Sequence, residues 1–310
     1  MSCPEGERRQ PVVLCTGIAV LDQVFRVDRF PAADMKTMAS EFITVGGGCA
    51  ANAAVAIARL GARVRFAGPL GGPAGKEPTG DRIVAGLGRE GIDCTGCVRV
   101  PGVASSLSAI MVNSIGQRTV VTYRDERLLL VRPDKPEQLV AAADAVAADN
   151  SFPEFSLPIC QAARARGIPV VLDADKPTRM TDPLLALASH VIFSTQSLCL
   201  TADSEDLATS LARVSEHTPS FLSVTDGSNG VYWRDGCALR HMPAFAVKTV
   251  DTLAAGDVFH AGFVVSLIEG RSITDALRLA AAAAGIKCSR FGGSRTAPGR
   301  AEVDAFLANA

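Results

Sequence analysis

Asp251-Thr252-Leu253-Ala254-Ala255-Gly256-Asp257-Val258-Phe259-His260-Ala261-Gly262-Phe263 joins a run of small residues directly to the start of an apolar helix. Small side chains at Ala254, Ala255 and Gly256 let backbone amides come close to a ligand, and the first amides of a helix have no partner within it. With the helix dipole they form a ready site for an anion. Asp257 then falls in the first helical turn, beside any anion held there. A carboxylate so placed can take the proton of an incoming hydroxyl during phosphoryl transfer. The plainer reading of the same residues is a capped helix whose small side chains allow tight packing. The rest of the chain has to decide between the two.

Outward from this segment, strands and helices alternate. Residues 12–17 read as a buried strand closed by Gly17, 49–60 as an Ala-rich helix stopped by Gly61, 63–67 as a strand, and 80–90 as a helix closed by Gly91. The second half continues with a helix near 156–166, strands at 169–173 and 190–194, a helix near 204–216 and a strand at 221–225. This alternation predicts an α/β fold, a mostly parallel central sheet with helices on both faces. Two stretches break the rhythm. Residues 23–28 and 37–44 are short and strand-like, and 107–113 with 118–123 read as a hairpin around Ser114-Ile115-Gly116-Gln117. Four such strands predict a small β-sheet lid over a cleft at the strand ends. Residues 1–10 are polar and read as a flexible N-terminal extension, leaving 11–310 as one domain with lid strands from about 23–44 and 107–123.

Composition agrees. A chain of 310 residues with 48% hydrophobic and only 5% aromatic residues suits helices packed on a buried sheet better than a sandwich. A formal net charge of -1 offers no basic field for nucleic acid or an anionic membrane, so an anionic ligand must be held by local donors. No apolar run approaches the length of about 18 residues needed to span a bilayer. The polar start lacks a secretory signal, and the expected location is cytoplasmic. The nine cysteines are scattered, and Cys94 and Cys97 form a lone CxxC without a His or second Cys pair, so reduced thiols are expected.

The Asp251–Asp257 run resembles the DTxGAGD signature of the ribokinase (PfkB) family of carbohydrate kinases. Gly46-Gly47-Gly48-Cys49-Ala50-Ala51-Asn52-Ala53 resembles the family's other signature, in the expected order. The resemblance runs from about residue 12 to 308 and implies a ribokinase-like fold, ATP with Mg2+ as phosphoryl donor, and a sugar hydroxyl as acceptor. It implies Asp257 as the catalytic base and the amides of Ala254, Ala255, Gly256 and Asp257 as the anion hole. Asp22 would accept hydrogen bonds from sugar hydroxyls, Gly47 and Gly48 would pass close under the sugar, and Asn52 would meet its edge. Val224-Thr225-Asp226-Gly227-Ser228-Asn229-Gly230 resembles the family's strand-end VTxGxxG. Thr225, Gly227 and Gly230 would thus line the ATP phosphates and ribose, although the two glycines read equally as turn residues. Residues 282–292, with Ala283 and Cys288, fall where the family shapes its adenine pocket. The same region and Asp251 often hold a monovalent cation there, the place for K+. No P-loop GxxxxGK[ST] and no GxGxxG after the first strand occurs.

One departure stands out. Where the family has Asn-x-x-Glu supporting magnesium, this chain reads Ser194-Thr195-Gln196-Ser197. Asp173 and Asp175, at the preceding strand end, are the substitute acids, and magnesium needs few protein ligands beside nucleotide phosphates and water. Within the family the sequence is most similar to the sulfofructose kinase branch, in Ser105-Ser106-Leu107-Ser108-Ala109-Ile110-Met111-Val112 and Val258-Phe259-His260. There a lysine, an asparagine and an arginine hold the sulfonate. Lys36 matches the lysine and the other two fall at Thr122 and Ser151, with Arg124 as a stand-in for the lost arginine. Ser108 and Thr122 join the acceptor side. Lys36 reads equally as a solvated lysine. The acceptor is then 6-deoxy-6-sulfofructose, a ketose phosphate or a neutral sugar. The rivals are a nucleoside kinase of the same fold and a catalytically weakened sugar or nucleotide sensor. Lid sheets of this family often pair across a dimer, so a homodimer through the lid is expected.

Overall fold

Short apolar runs closed by glycine or a carboxylate form the strands of one eight-stranded sheet. Its order is Ala238–Met242, Val231–Asp235, Phe221–Thr225, His190–Ser194, Val170–Ala174, Ala145–Asp149, Val12–Thr16, Arg63–Ala67. From Phe221–Thr225 to Arg63–Ala67 all neighbours are parallel, and the first two strands form an antiparallel edge hairpin. Strands buried on both faces carry continuous apolar runs. Alternate side chains serve two separate cores. Val13, Cys15, Ala145, Ala147, Val171 and Ile192 pack with helices Cys49–Arg59, Ala255–Ile268 and Ile273–Cys288. Leu14, Val146, Leu172, Val191, Phe193 and Val224 pack with helices Pro153–Ala165 and Leu207–Ser215. The computed structural model describes residues 9–310. The expectation of a flexible extension over 1–10 falls mostly outside the described residues, and at its end Arg9 pairs with Asp144 at 2.6 Å while Gln10 donates to the Gly61 carbonyl at 2.8 Å.

The four strands outside the alternation form a separate sheet in the order Glu41–Gly47, Val20–Arg26, Leu107–Val112, Arg118–Tyr123. Its central pair is parallel and sets Asp22 opposite Ser108, and the Leu107–Val112 hairpin sets Ser108 opposite Thr122. The strand expected at 37–44 begins later, at Glu41. Residues 31–39 take no regular structure, and Ser40 N donates to the Arg26 carbonyl at 2.8 Å to start the pairing. Five strands escaped the sequence reading: Ala145–Asp149 in the middle of the main sheet, the edge hairpin Val231–Asp235 and Ala238–Met242, and the parallel pair Pro69–Gly72 and Val98–Pro101.

Candidate active site

All the parallel strands end on one edge, and the small sheet stands over it. Between them lies a cleft of about 380 Å³ lined by Asp22, Gly48, Asn52, Ser108, Thr122 and Ala254 to Asp257, among others. Its floor is the start of helix Ala255–Ile268. Ala254 caps this helix in the left-handed region at φ 64, unusual for a residue with a Cβ and the kind of local strain that collects at working sites. The turn leaves the amides of Gly256 and Asp257 without a backbone acceptor among the described residues, while Ala255 N donates to the Thr252 carbonyl at 3.2 Å. Two adjacent amides at a helix start, opening on a cleft, suit a developing phosphoryl charge.

Asp257 is 9% exposed and accepts a 2.7 Å hydrogen bond from Asn52 Nδ2. Burial drives its carboxyl up to about 7, although the Asn52 bond works in the opposite sense. A carboxyl poised there can alternate between proton acceptor and donor near neutral pH. Asp22 is buried too, and burial raises its carboxyl to about 6 against the opposing bond from Ser108. Gly47 is required beside it, because a Cβ at Gly47 would lie 1.8 Å from Asp22 Oδ2. Ser108 and Thr122 hydroxyls share a 2.9 Å hydrogen bond next to Asp22.

Several site residues were not read from sequence. Asp149 accepts from the amides of Ile18, Ala50 and Ser151 at 2.8, 3.0 and 2.8 Å, stitching the first strand's exit to the start of helix Cys49–Arg59. Arg118 lines the cleft and donates to Thr252 Oγ1 at 2.8 Å. Lys176 lines it too; burial, then neighbouring Arg124, pull its ammonium below the ordinary range. Arg124, which the sequence did place on the acceptor side, also lines the cleft; it donates to the Ser151 carbonyl at 3.0 Å and lies over the Phe152 ring. Among the described residues neither Arg124 nor Lys176 has a carboxylate in ion-pair contact. His260 is buried and kept neutral by burial, with Nδ1 2.8 Å from the Gly256 carbonyl.

Other expected residues lie elsewhere. Lys36 is exposed in the irregular segment before Glu41 and does not line the cleft. Thr225, Gly227 and Gly230 sit at the exit of strand Phe221–Thr225, on the same edge of the sheet but outside the cleft. Gly230 passes so close to the edge hairpin that a Cβ would meet the Met242 carbonyl at 2.1 Å. Ala283 is wholly buried in the core, and the Cys288 carbonyl accepts from Val250 and Asp251 amides at 2.8 and 3.1 Å. Ser194 caps helix Thr195–Ala202 and Ser197 is buried, so the turn itself carries no acid, but Thr195 Oγ1 donates at 3.0 Å to Asp226 Oδ1 at the exit of strand Phe221–Thr225.

Magnesium is a metal that the fold implies, and the donors at the strand ends fit it. Burial pushes the Asp173 carboxyl well above its usual range, and so do the charges of Asp257, Asp175 and Asp149. Such a carboxylate cluster favours a hard dication. Ligand atoms of Asp173, Asp257 and Cys49 lie within 4.8 Å of one another, the thiol being the poor partner for this metal. Asp251 does not fit a free monovalent cation. Its carboxylate already receives the buried Lys287 ammonium at 3.0 Å and the Leu253, Gly292 and Gly293 amides at 2.8, 3.0 and 3.2 Å.

Known proteins share this sequence and fold. The profile described as pfkB family carbohydrate kinase matches residues 10–300. The ribokinase of Bacillus subtilis (strain 168) is 28% identical over 295 residues, covering 94% of this chain and 97% of its own. The ATP-dependent ribose-1-phosphate kinase of Halopiger xanaduensis is 28% identical over 300 residues, covering 95% and 97%. A crystal structure from Agrobacterium tumefaciens, assigned as a ribokinase, superposes with a TM-score of 0.90 at 34% identity over 97% of this chain and 98% of its own. Fold and cleft define a phosphotransferase with an alcohol group as acceptor. The chain belongs to the pfkB family of carbohydrate kinases and phosphorylates a sugar at the expense of ATP.

Proposed function

We propose that the acceptor is a sugar carrying a permanent anionic group, such as a ketose phosphate or 6-deoxy-6-sulfofructose. The observation that carries this is the Arg124–Lys176 couple in the cleft, neither of which has an ion-pair partner among the described residues. Arg124 opposes the Lys176 charge while Asp149 and Asp175 favour it, and an anion joining the two cations would relieve their mutual repulsion. Arg124 reaches the carbonyl of Ser151, the position where the sulfofructose kinase branch has its arginine, so a guanidinium is supplied there from the residue after strand Arg118–Tyr123. The Halopiger xanaduensis relative is named for a sugar phosphate acceptor. Among the described residues no aromatic side chain lines the cleft, which favours a sugar over the stacked base of a nucleoside.

In this reading Asp22, Ser108 and Thr122 orient the sugar, with Gly47 and Gly48 beneath it and Asn52 at its edge. Asn52 also steers Asp257, which takes the proton from the attacking hydroxyl. Within the 254–257 run, the free amides of Gly256 and Asp257 receive charge developing on the transferred phosphoryl group, and Arg118 stands over them from the small sheet. Thr225, Gly227 and Gly230 carry the nucleotide, with Ala283 and Cys288 on the helix that backs the adenine. Asp173 and Asp175 hold magnesium, which when bound offsets the charge of the ATP phosphates. The small sheet closes as a lid that excludes water. ADP release across neutral hexoses, ketose phosphates and 6-deoxy-6-sulfofructose tests the acceptor. The expected winner is an anionic sugar, and Arg124→Leu should raise its KM by about tenfold or more. A winner that is neutral, with KM indifferent to Arg124→Leu, contradicts the assignment.

The outer face of the lid supports self-association of two chains. Met38, in the irregular segment before Glu41, is 90% exposed, Phe42 stands open on one edge strand, and Val121 and Tyr123 stand open on the opposite edge strand. Exposed apolar residues spread over one sheet in this way suit an interaction surface. Sedimentation should show a dimer that Val121→Lys converts to monomer; a wild-type monomer at all concentrations would remove lid pairing from the account.

A further inference from the structure

We propose that the Lys287 ammonium is a built-in replacement for the monovalent cation that the resemblance places beside Asp251, so that this kinase turns over without potassium. This rests on the family assignment and not on which sugar is the acceptor. Lys287 lies in the last turn of helix Ile273–Cys288, where a lysine normally extends into water. Here it is 0% exposed, as is Asp251. Its nitrogen donates to the Asp251 carbonyl at 2.8 Å and the Arg290 carbonyl at 3.4 Å and forms an ion pair with Asp251 Oδ2 at 3.0 Å. A carboxylate and two carbonyls are the donor set a potassium ion would ask for, and an ammonium satisfies the same oxygens through hydrogen bonds.

A diffusible cation has no room in this arrangement. Asp251 Oδ2 also accepts from Gly292 and Gly293 amides, and Oδ1 from Leu253 N, so each carboxylate oxygen is taken. A second positive charge beside the buried ammonium would meet strong repulsion at low dielectric. Arg118 adds to this, since it faces the same loop through Thr252.

The position gives the lysine its purpose. Residues 250–253 form the ramp into the anion hole, and Lys287 ties that ramp to the end of the helix and to the loop 290–293. The Cys288 carbonyl holds Val250 and Asp251 from the same helix end. The Ala254 turn and the free Gly256 and Asp257 amides follow immediately. Lys287 is thus a positioning residue for those amides, tethered where a free ion could dissociate.

The test compares cations at constant ionic strength on purified protein with magnesium-ATP and the best acceptor. Replacing tetramethylammonium chloride by potassium or ammonium chloride should change the rate by less than about twofold, whereas effector coupling ordinarily reaches about fivefold or more. The melting temperature, which needs no turnover, should likewise ignore potassium, since a ligand specific to the folded state would raise it. Lys287→Met should lower the rate and regain it, together with melting temperature, as potassium or ammonium is added. Potassium activation of the wild type, or a potassium-specific rise in its melting temperature, overturns the proposal. So does a folded Lys287→Met protein whose rate and melting temperature ignore both cations. If Lys287→Met does not fold, the wild-type cation series decides alone.

Discussion

Asp257→Asn should leave acceptor affinity within about threefold while lowering kcat by roughly 10²–10⁴. The substitution keeps size and an oxygen for the Asn52 amide, which now contacts Asp257 at 2.7 Å, but removes the proton acceptor. The pH profile carries the same expectation. The carboxyl, raised to about 7 chiefly by burial, must be ionised to accept a proton. For the wild type, kcat/KM should therefore rise with pH through about 7 and then level off, and the variant should lack this limb. Stability runs the opposite way. The group is raised in the folded protein from 3.8 to about 7, so the native state holds the extra proton in that window. Stability is fully present below the unfolded value and is lost as pH rises through the folded one. Relative to wild type, the Asn variant should melt higher at about pH 8 than at about pH 4, because it never has to ionise a buried group. Near-normal kcat in a folded Asp257→Asn protein would remove Asp257 as the base.

Gly47→Ala should lower kcat/KM for the sugar by about 10²-fold or more, an effect expected when a positioning group shifts by an ångström. The reason is steric. The added carbon would lie 1.8 Å from Asp22 Oδ2, so Asp22 has to leave the place from which it faces the cleft. Nucleotide affinity should be unchanged, because Thr225, Gly227 and Gly230 lie outside the cleft, on a different part of the strand edge. Asp22→Ala should reproduce the sugar defect without the clash. If Gly47→Ala instead keeps kcat/KM within about threefold, Asp22 does not grip the sugar and the acceptor lies elsewhere in the cleft.

These two residues also mark how far the sequence could be read. Strands at 190–194 and 221–225 were legible because branched and aromatic side chains run between polar ends, and both form where expected. Ala145–Asp149 was not, because Ala-Val-Ala-Ala carries helical preference. Its place between Val12–Thr16 and Val170–Ala174 overrides that preference, and its small side chains let helices on both faces come close. Missing that strand meant missing Asp149 at its end. The resemblance singled out Asn52 and Asp257 separately, but their hydrogen bond joins residues 205 apart in sequence and was not legible in it. Arg118 and Lys176 look in sequence like solvated charges at the ends of short elements; only the topology turns them into the cleft. Lys287 was passed over for the same reason. A lysine in a helix's last turn suits the dipole and reads as solvent-facing, and nothing local announces that Asp251 sits beneath it.

The central claim is transfer of the ATP γ-phosphoryl group to a sugar hydroxyl in this cleft. Its most direct test is mass spectrometry of the sugar after incubation of the purified protein with magnesium and ATP labelled with ¹⁸O in the γ-phosphoryl group. The account predicts a sugar product carrying the labelled phosphoryl group, formed with one ADP per product and abolished by Asp257→Asn. ADP formed without any phosphorylated sugar, or a labelled product undiminished by Asp257→Asn, would contradict it.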